Sequence, residues 1–107
     1  MKVFLVNQAD NVVTALQPLL PGKADIVGAM QNMGISVTEA IQDGHKIARI
    51  DIRQGEHIRK YNASIGRATR DIKAGDWVHI HNMSSLVDET RQHVDAVTGS
   101  VVDTRYE

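Results

Sequence analysis

Along the first half of the chain the spacing of apolar positions changes more than once. Val3, Phe4, Leu5 and Val6 form an unbroken β-prone run, which predicts a short strand over Lys2–Asn7. Asp10 or Asn11 then stands where a helix cap would. Val12, Val13, Leu16, Leu19 and Leu20 follow at spacings that fit one helical face. That helix is expected to end at Pro21-Gly22, and Pro18 inside it removes a donor and crowds the preceding turn, making it short or distorted. From Ile26 to Ile41 extended chain broken by polar turns is expected, with Ile35, Val37 and Glu39 alternating with Ser36, Thr38 and Ala40. For the front of that span, a helix-like loop over Gly28 to Gly34 around Met30 and Met33 is the alternative.

The middle of the chain repeats itself. Asp51-Ile52-Arg53-Gln54-Gly55-Glu56-His57-Ile58 recurs twenty residues later as Asp71-Ile72-Lys73-Ala74-Gly75-Asp76-Trp77-Val78. Each copy reads as a strand end, a tight turn with glycine where positive φ is needed, and a new strand. Two copies are too few for a solenoid, so they predict a small all-β unit with pseudo-two-fold character. Ile58 to Ile65 and Gly66 to Ala68 supply further short strands or loops between them.

After Asn82 the chain turns mostly polar, with scattered Leu86, Val87, Val94, Val97, Val101 and Val102. Ser84 or Ser85 is placed to cap a short helix over residues 86 to 95. The expected division is therefore one domain over residues 1–82 and a polar tail or docking arm over 83–107.

Composition narrows the function classes. A chain of 107 residues has room for one domain with a modest core, burying about two-thirds of its unfolded surface, which makes a partner surface expected. Twelve basic against thirteen acidic residues leave a net charge of −1, with no electrostatic footprint for nucleic acid or an anionic membrane. The absence of cysteine excludes disulfides, a thiolate nucleophile and thiolate metal sites. No apolar run is long enough to span a bilayer as a helix and no signal-peptide pattern is present, so a cytoplasmic location is expected. Gly-rich phosphate loops and the GxSxG nucleophile elbow are also missing.

One stretch carries a family pattern. It runs through Gly44-His45-Lys46-Ile47-Ala48, Asp51-Ile52-x-x-Gly55-Glu56-x-Ile58-x-Lys60-Tyr61, Ile65-Gly66-x-Ala68-Thr69 and Asp71-Ile72-x-x-Gly75-Asp76-x-Val78-His79-x-His81-Asn82. This closely resembles the N-terminal SAF domain of altronate and galactarate dehydratases, which also occurs as a separate small subunit in relatives such as sulfolactate sulfo-lyase. Asp10-Asn11-Val12 and Leu16 add a weaker likeness to the start of those enzymes. The resemblance implies a mainly β, SAF-type β-clip with short helices. It also implies a large catalytic dehydratase-like subunit or domain as partner, a sugar acid as small-molecule ligand, and a divalent metal such as iron or manganese in the assembled enzyme. One position departs from the pattern, since Asn62 follows Lys60-Tyr61 where the family usually has glycine. Asparagine is the side chain that best tolerates left-handed backbone there.

Dehydrating a sugar acid needs a base for the proton α to the carboxylate, an acid for the leaving hydroxyl, and positive charge for the enediolate-like intermediate. His45 and Lys46 set an imidazole beside an ammonium after a turn and are the candidate catalytic pair; a plain surface turn is the alternative. His79 and His81 would share one face if Val78–Asn82 were a strand, making them candidate metal ligands, although two imidazoles fall short of a complete site. Lys60, Tyr61 and Asn82 are candidate substrate-binding residues, a Lys-Tyr strand rim being the simpler reading of the first two. Trp77 is expected to anchor a core or an interface, and His57 and His93 to be solvated. A homo-oligomeric sugar-acid or carbohydrate-binding module without catalysis is the competing function.

Overall fold

The structure is a computed structural model and describes residues 1–85. Nine strands run through these residues: β1 Lys2–Leu5, β2 Val12–Ala15, β3 Gly22–Gly28, β4 Met33–Val37, β5 Lys46–Ala48, β6 His57–Lys60, β7 Ala63–Ala68, β8 Trp77–Val78 and β9 Met83–Ser85. Six form one sheet in the order β4-β3-β1-β2-β5-β8, and three form a second in the order β6-β7-β9. The mainly β expectation holds, and among the described residues there is no helix. The helix proposed for 86–95, His93 and the arm beyond Ser85 lie outside the described residues.

The predicted helix after Asn11 is instead strand β2. It pairs antiparallel with β1 (Val3↔Ala15, Phe4↔Thr14) and with β5 (Val12↔Ala48, Val13↔Ile47, Thr14↔Lys46). Apolar spacing alone fitted a helical face, but a strand with neighbours on both sides buries Val12 and Val13 on opposite faces. Val13 joins a core cluster with Val3, Leu5 and Ile47, whereas Val12 joins a second cluster with Ala48, Ile58 and Val78. Leu16 and Leu20, which the helix would have turned inward, are exposed. The extended reading of 26–41 is right: β3 and β4 form a hairpin, Ile35 and Val37 are buried, and Ser36 between them is exposed.

The repeat is a pseudo-two-fold axis. Ile52 and Ile72 meet in an antiparallel bridge, each amide donating to the other's carbonyl at 2.8 and 2.7 Å. Each copy's aspartate caps the other copy's turn: Gln54 N–H donates to Asp71 Oδ1 and Ala74 N–H to Asp51 Oδ1, both at 2.9 Å. Gly55 N–H bonds the Ala68 carbonyl while Ala68 N–H bonds that of Glu56; in the other copy Gly75 N–H bonds the Ala48 carbonyl and Ala48 N–H that of Asp76. The axis thus exchanges β5 with β7 and β6 with β8. The registers β5·β2 and β7·β9 then make β9 the counterpart of β2, with Asn82 corresponding to Asn11.

Those two asparagines make the same bonds. Asn11 Nδ2 donates to the His57 carbonyl (2.8 Å) and its Oδ1 accepts from Arg59 N–H (2.7 Å). Asn82 Nδ2 donates to the Trp77 carbonyl (2.8 Å) and its Oδ1 accepts from His79 N–H (2.9 Å). Each side-chain amide supplies the ladder partners that the end of a strand lacks.

Candidate functional site

The strongest convergence of chemistry-bearing side chains lies where β8 leaves the six-stranded sheet. Trp77 pairs with Ile47 across β5·β8, which brings it beside His45, the residue preceding β5. The indole Nε1–H donates to His45 Nδ1 at 3.1 Å. His79 stacks on the indole at a centroid distance of 5.0 Å and an interplanar angle of 11°, and His81 lies tilted against it at 4.9 Å. His45 and His79 are 5.3 Å apart, centroid to centroid. Three histidines therefore surround one tryptophan, with His45 and His79 half-buried and His81 exposed.

Local bonds hold the shape. The strand ends at Val78 and residues 79–82 form a turn, so strand alternation is not what brings His79 and His81 together, contrary to the premise from sequence. Their contact with one indole does so. Asn82 closes that turn: besides its amide bonds, its own N–H donates to the His79 carbonyl at 3.0 Å. It is buried, and its amide serves the loop, where sequence had offered it to a substrate. Glu39, just past β4, accepts the Trp77 backbone N–H on Oε2 at 3.3 Å.

Lys46 does not share His45's surface. It is 2% exposed, and alternation along β5 puts it with Ala48 on the face of the second core cluster, whereas Ile47 faces the first. The two neighbours proposed as a catalytic pair thus lie on opposite sides of the sheet.

Lys60 and Tyr61 belong to the other half of the pseudo-dyad. They sit at the β6–β7 hairpin tip, with Lys60 Nζ 5.1 Å from the Tyr61 ring centroid. Tyr61 and Asn62 both have positive φ (59° and 57°), as a two-residue type I′ turn requires. Asn62 keeps the turn that glycine usually makes. Asp10, fully buried, fixes this tip: its carboxylate accepts from Asn7, Tyr61 and Asn62 N–H at 3.1, 3.0 and 2.8 Å. Sequence had assigned Asp10 or Asn11 to cap a helix. They do terminate backbone donors, but those of a distant hairpin.

His57 is not simply solvated. Half-buried, it shares a 2.6 Å hydrogen bond with Ser64 through Nδ1. The Ser64 hydroxyl also lies 3.3 Å from the Gly66 carbonyl, so the pair braces the hairpin. Sequence reasoning missed Trp77 as a member of the site and Glu39 as its support. The signal for Trp77 was only its nearness in sequence to His79 and His81.

No group of three His, Asp or Glu side chains able to hold a metal occurs among the described residues. His79 and His81, the candidate metal ligands, thus fall short of a complete site within residues 1–85.

Residues 1–86 match the family model described as altronate/galactarate dehydratase SAF domain. The chain belongs to that family. Among curated relatives, the SAF domain is 36% identical over 92 residues to altronate dehydratase of Bacillus subtilis (strain 168), an alignment covering 83% of this chain and 18% of that protein. It is 33% identical over 93 residues to altronate dehydratase of Escherichia coli (strain K12), covering 87% of this chain and again 18% of the relative. It is also 36% identical over 87 residues to the (2R)-sulfolactate sulfo-lyase subunit alpha of Chromohalobacter salexigens, covering 77% of this chain and 93% of that subunit. The SAF domain thus spans under a fifth of the dehydratases it matches and nearly the whole of a sulfo-lyase subunit.

Proposed function

We propose that this SAF domain is the small, substrate-side part of a sugar-acid hydro-lyase whose catalytic bulk is carried by a large dehydratase-like chain or region. The substrate class is an aldonic or aldaric acid, as in altronate and galactarate. The reaction removes the proton α to the carboxylate and expels the β-hydroxyl as water, leaving an enol that becomes the 2-keto-3-deoxy acid.

The observation that carries this reading is the ring cluster of His45, Trp77, His79 and His81 in a domain of this family. Ile80, at 71% exposure, projects from the same turn and offers an apolar anchor to a covering partner. In this reading His45, His79 and His81 face the substrate carboxylate and hydroxyls, and Lys60 and Tyr61 form a second edge of the partner-facing surface. Lys46 acts from within the wall. A divalent metal, iron or manganese, belongs to the assembled enzyme, with ligands supplied largely from outside residues 1–85. The cytoplasm is the proposed location.

The test is reconstitution. The chain is mixed with the large dehydratase-like polypeptide from the same organism, the complex is isolated by size exclusion, and 2-keto acid formation from a sugar-acid panel is measured. Complex formation with activity, lost by at least tenfold on His81→Ala, is expected. A chain that assembles only with itself and binds sugar acids alone would favour a carbohydrate-binding module instead.

A further inference from the structure

Trp77 and His45 share a hydrogen bond that bears on the chemistry His45 can offer. We infer that Trp77 is a positioning residue that fixes the proton of neutral His45 on Nε2, so that His45 meets a ligand as a hydrogen-bond donor to an anionic or hydroxyl oxygen. In that tautomer Nε2 has no lone pair with which to accept a proton or ligate a metal. The inference deepens the proposed function, because it rests on that reading for placing His45 at the substrate.

The indole nitrogen carries one hydrogen and no available lone pair, so a tryptophan can only donate. Trp77 Nε1 stands 3.1 Å from His45 Nδ1, and a ring nitrogen that accepts a hydrogen bond must be unprotonated. A neutral imidazole has one N–H, which is then on Nε2. Abstracting a substrate proton through Nε2 needs a lone pair that this tautomer lacks, and binding a metal there would require losing the Nε2 proton. Donating that proton in a hydrogen bond to a carboxylate or developing enolate oxygen needs neither.

The indole is held so that it cannot readily turn away. Its backbone pairs with Ile47 and is bonded at N by Glu39 and at O by Asn82, at 3.3 and 2.8 Å. Its ring is stacked on His79 and flanked by His81. His45 is fixed in turn, its N–H bonding the Gln42 carbonyl and its carbonyl accepting from Ala15 N–H, at 3.1 and 2.9 Å. Both partners thus approach from braced backbone, the requirement for a tautomer set by geometry.

Long-range 1H–15N correlation spectra of the uniformly 15N-labelled chain, at a pH where its imidazoles are neutral, test this without any partner. His45 should show an unprotonated Nδ1 and a protonated Nε2. Trp77→Phe keeps the ring and removes the donor, and should shift the His45 tautomer ratio toward Nδ1–H by about tenfold, the weight of one hydrogen bond. A wild-type spectrum with Nδ1–H dominant, or a ratio unmoved in Trp77→Phe, overturns the inference. If that variant fails to fold, a scalar coupling across the hydrogen bond between Trp77 Nε1 and His45 Nδ1 in the wild type decides, its presence supporting the inference and its absence overturning it. In the reconstituted enzyme His45→Gln, whose amide can donate near the Nε2 position, should retain at least tenfold more kcat/KM than His45→Ala, and equal losses would contradict a donor role. Failure of reconstitution would remove the proposed function while leaving the tautomer result readable.

Discussion

Asp10 shows how much of this fold depends on single polar side chains. A fully buried carboxylate gathers three amide donors from two segments far apart in sequence, Asn7 on one side and Tyr61 and Asn62 on the other. Removing it strands those donors, so Asp10→Ala should lower unfolding free energy by about 3 kcal/mol in urea titration. Tyr61 offers the opposite case. A bulky residue at φ 59° is strained, and it is 65% exposed, so its ring contributes little burial in return. Tyr61→Asn should raise stability by about 1 kcal/mol, an estimate resting on the turn's preference for Asn at positive φ. A stabilising outcome would mark Tyr61 as a residue kept for contact with something beyond the fold. The chemistry of Asp10 was legible in sequence as an acceptor for backbone N–H groups, but its target was not, because nothing local signals a partner some fifty residues away.

Among the elements, the repeat was the most legible feature and β2 the least. Asp-Ile-x-x-Gly-acid announces its turn through local backbone requirements, and both copies fold as read. The segment from Val12 to Leu20 was misread because the spacing of its apolar residues suits a helix equally well. Its strand state is decided by ladders to β1 and β5 that only the assembled sheet supplies. The repeat also makes a comparison within one molecule. Gly55 and Gly75 have similar positive φ (89° and 94°), but a Cβ on Gly55 would meet open space while one on Gly75 would fall on the Ser36 carbonyl oxygen. Thermal and urea unfolding should therefore show Gly55→Ala costing about 1 kcal/mol and Gly75→Ala about 3 kcal/mol or more, the excess being the clash against β4. Equal costs would mean the turn, not the approach of β4, sets the need for glycine.

At the scale of the whole molecule, the pseudo-dyad produces two equivalent strand ends with different chemistry. Where one half places His57 and Arg59 under the clamp of Asn11, the other places Trp77 and His79 under that of Asn82. The histidine cluster thus sits on one half of a pseudo-symmetric scaffold. Sequence pointed to His45, His79 and His81 as the chemistry, and the structure does gather them, around a tryptophan that had been assigned to packing. Lys46 and Asn82 belong to the interior, since residue type and motif position say nothing about which face of a short strand or turn is covered. The domain spans 18% of each dehydratase it matches, and in the proposed function a large chain or region completes its site. The most direct measurement titrates that large chain with this one while following sugar-acid dehydration. The account predicts negligible rate from either alone and a rise that saturates near equimolar mixing. A large chain fully active by itself, with a rate unchanged as this domain is added, would contradict it.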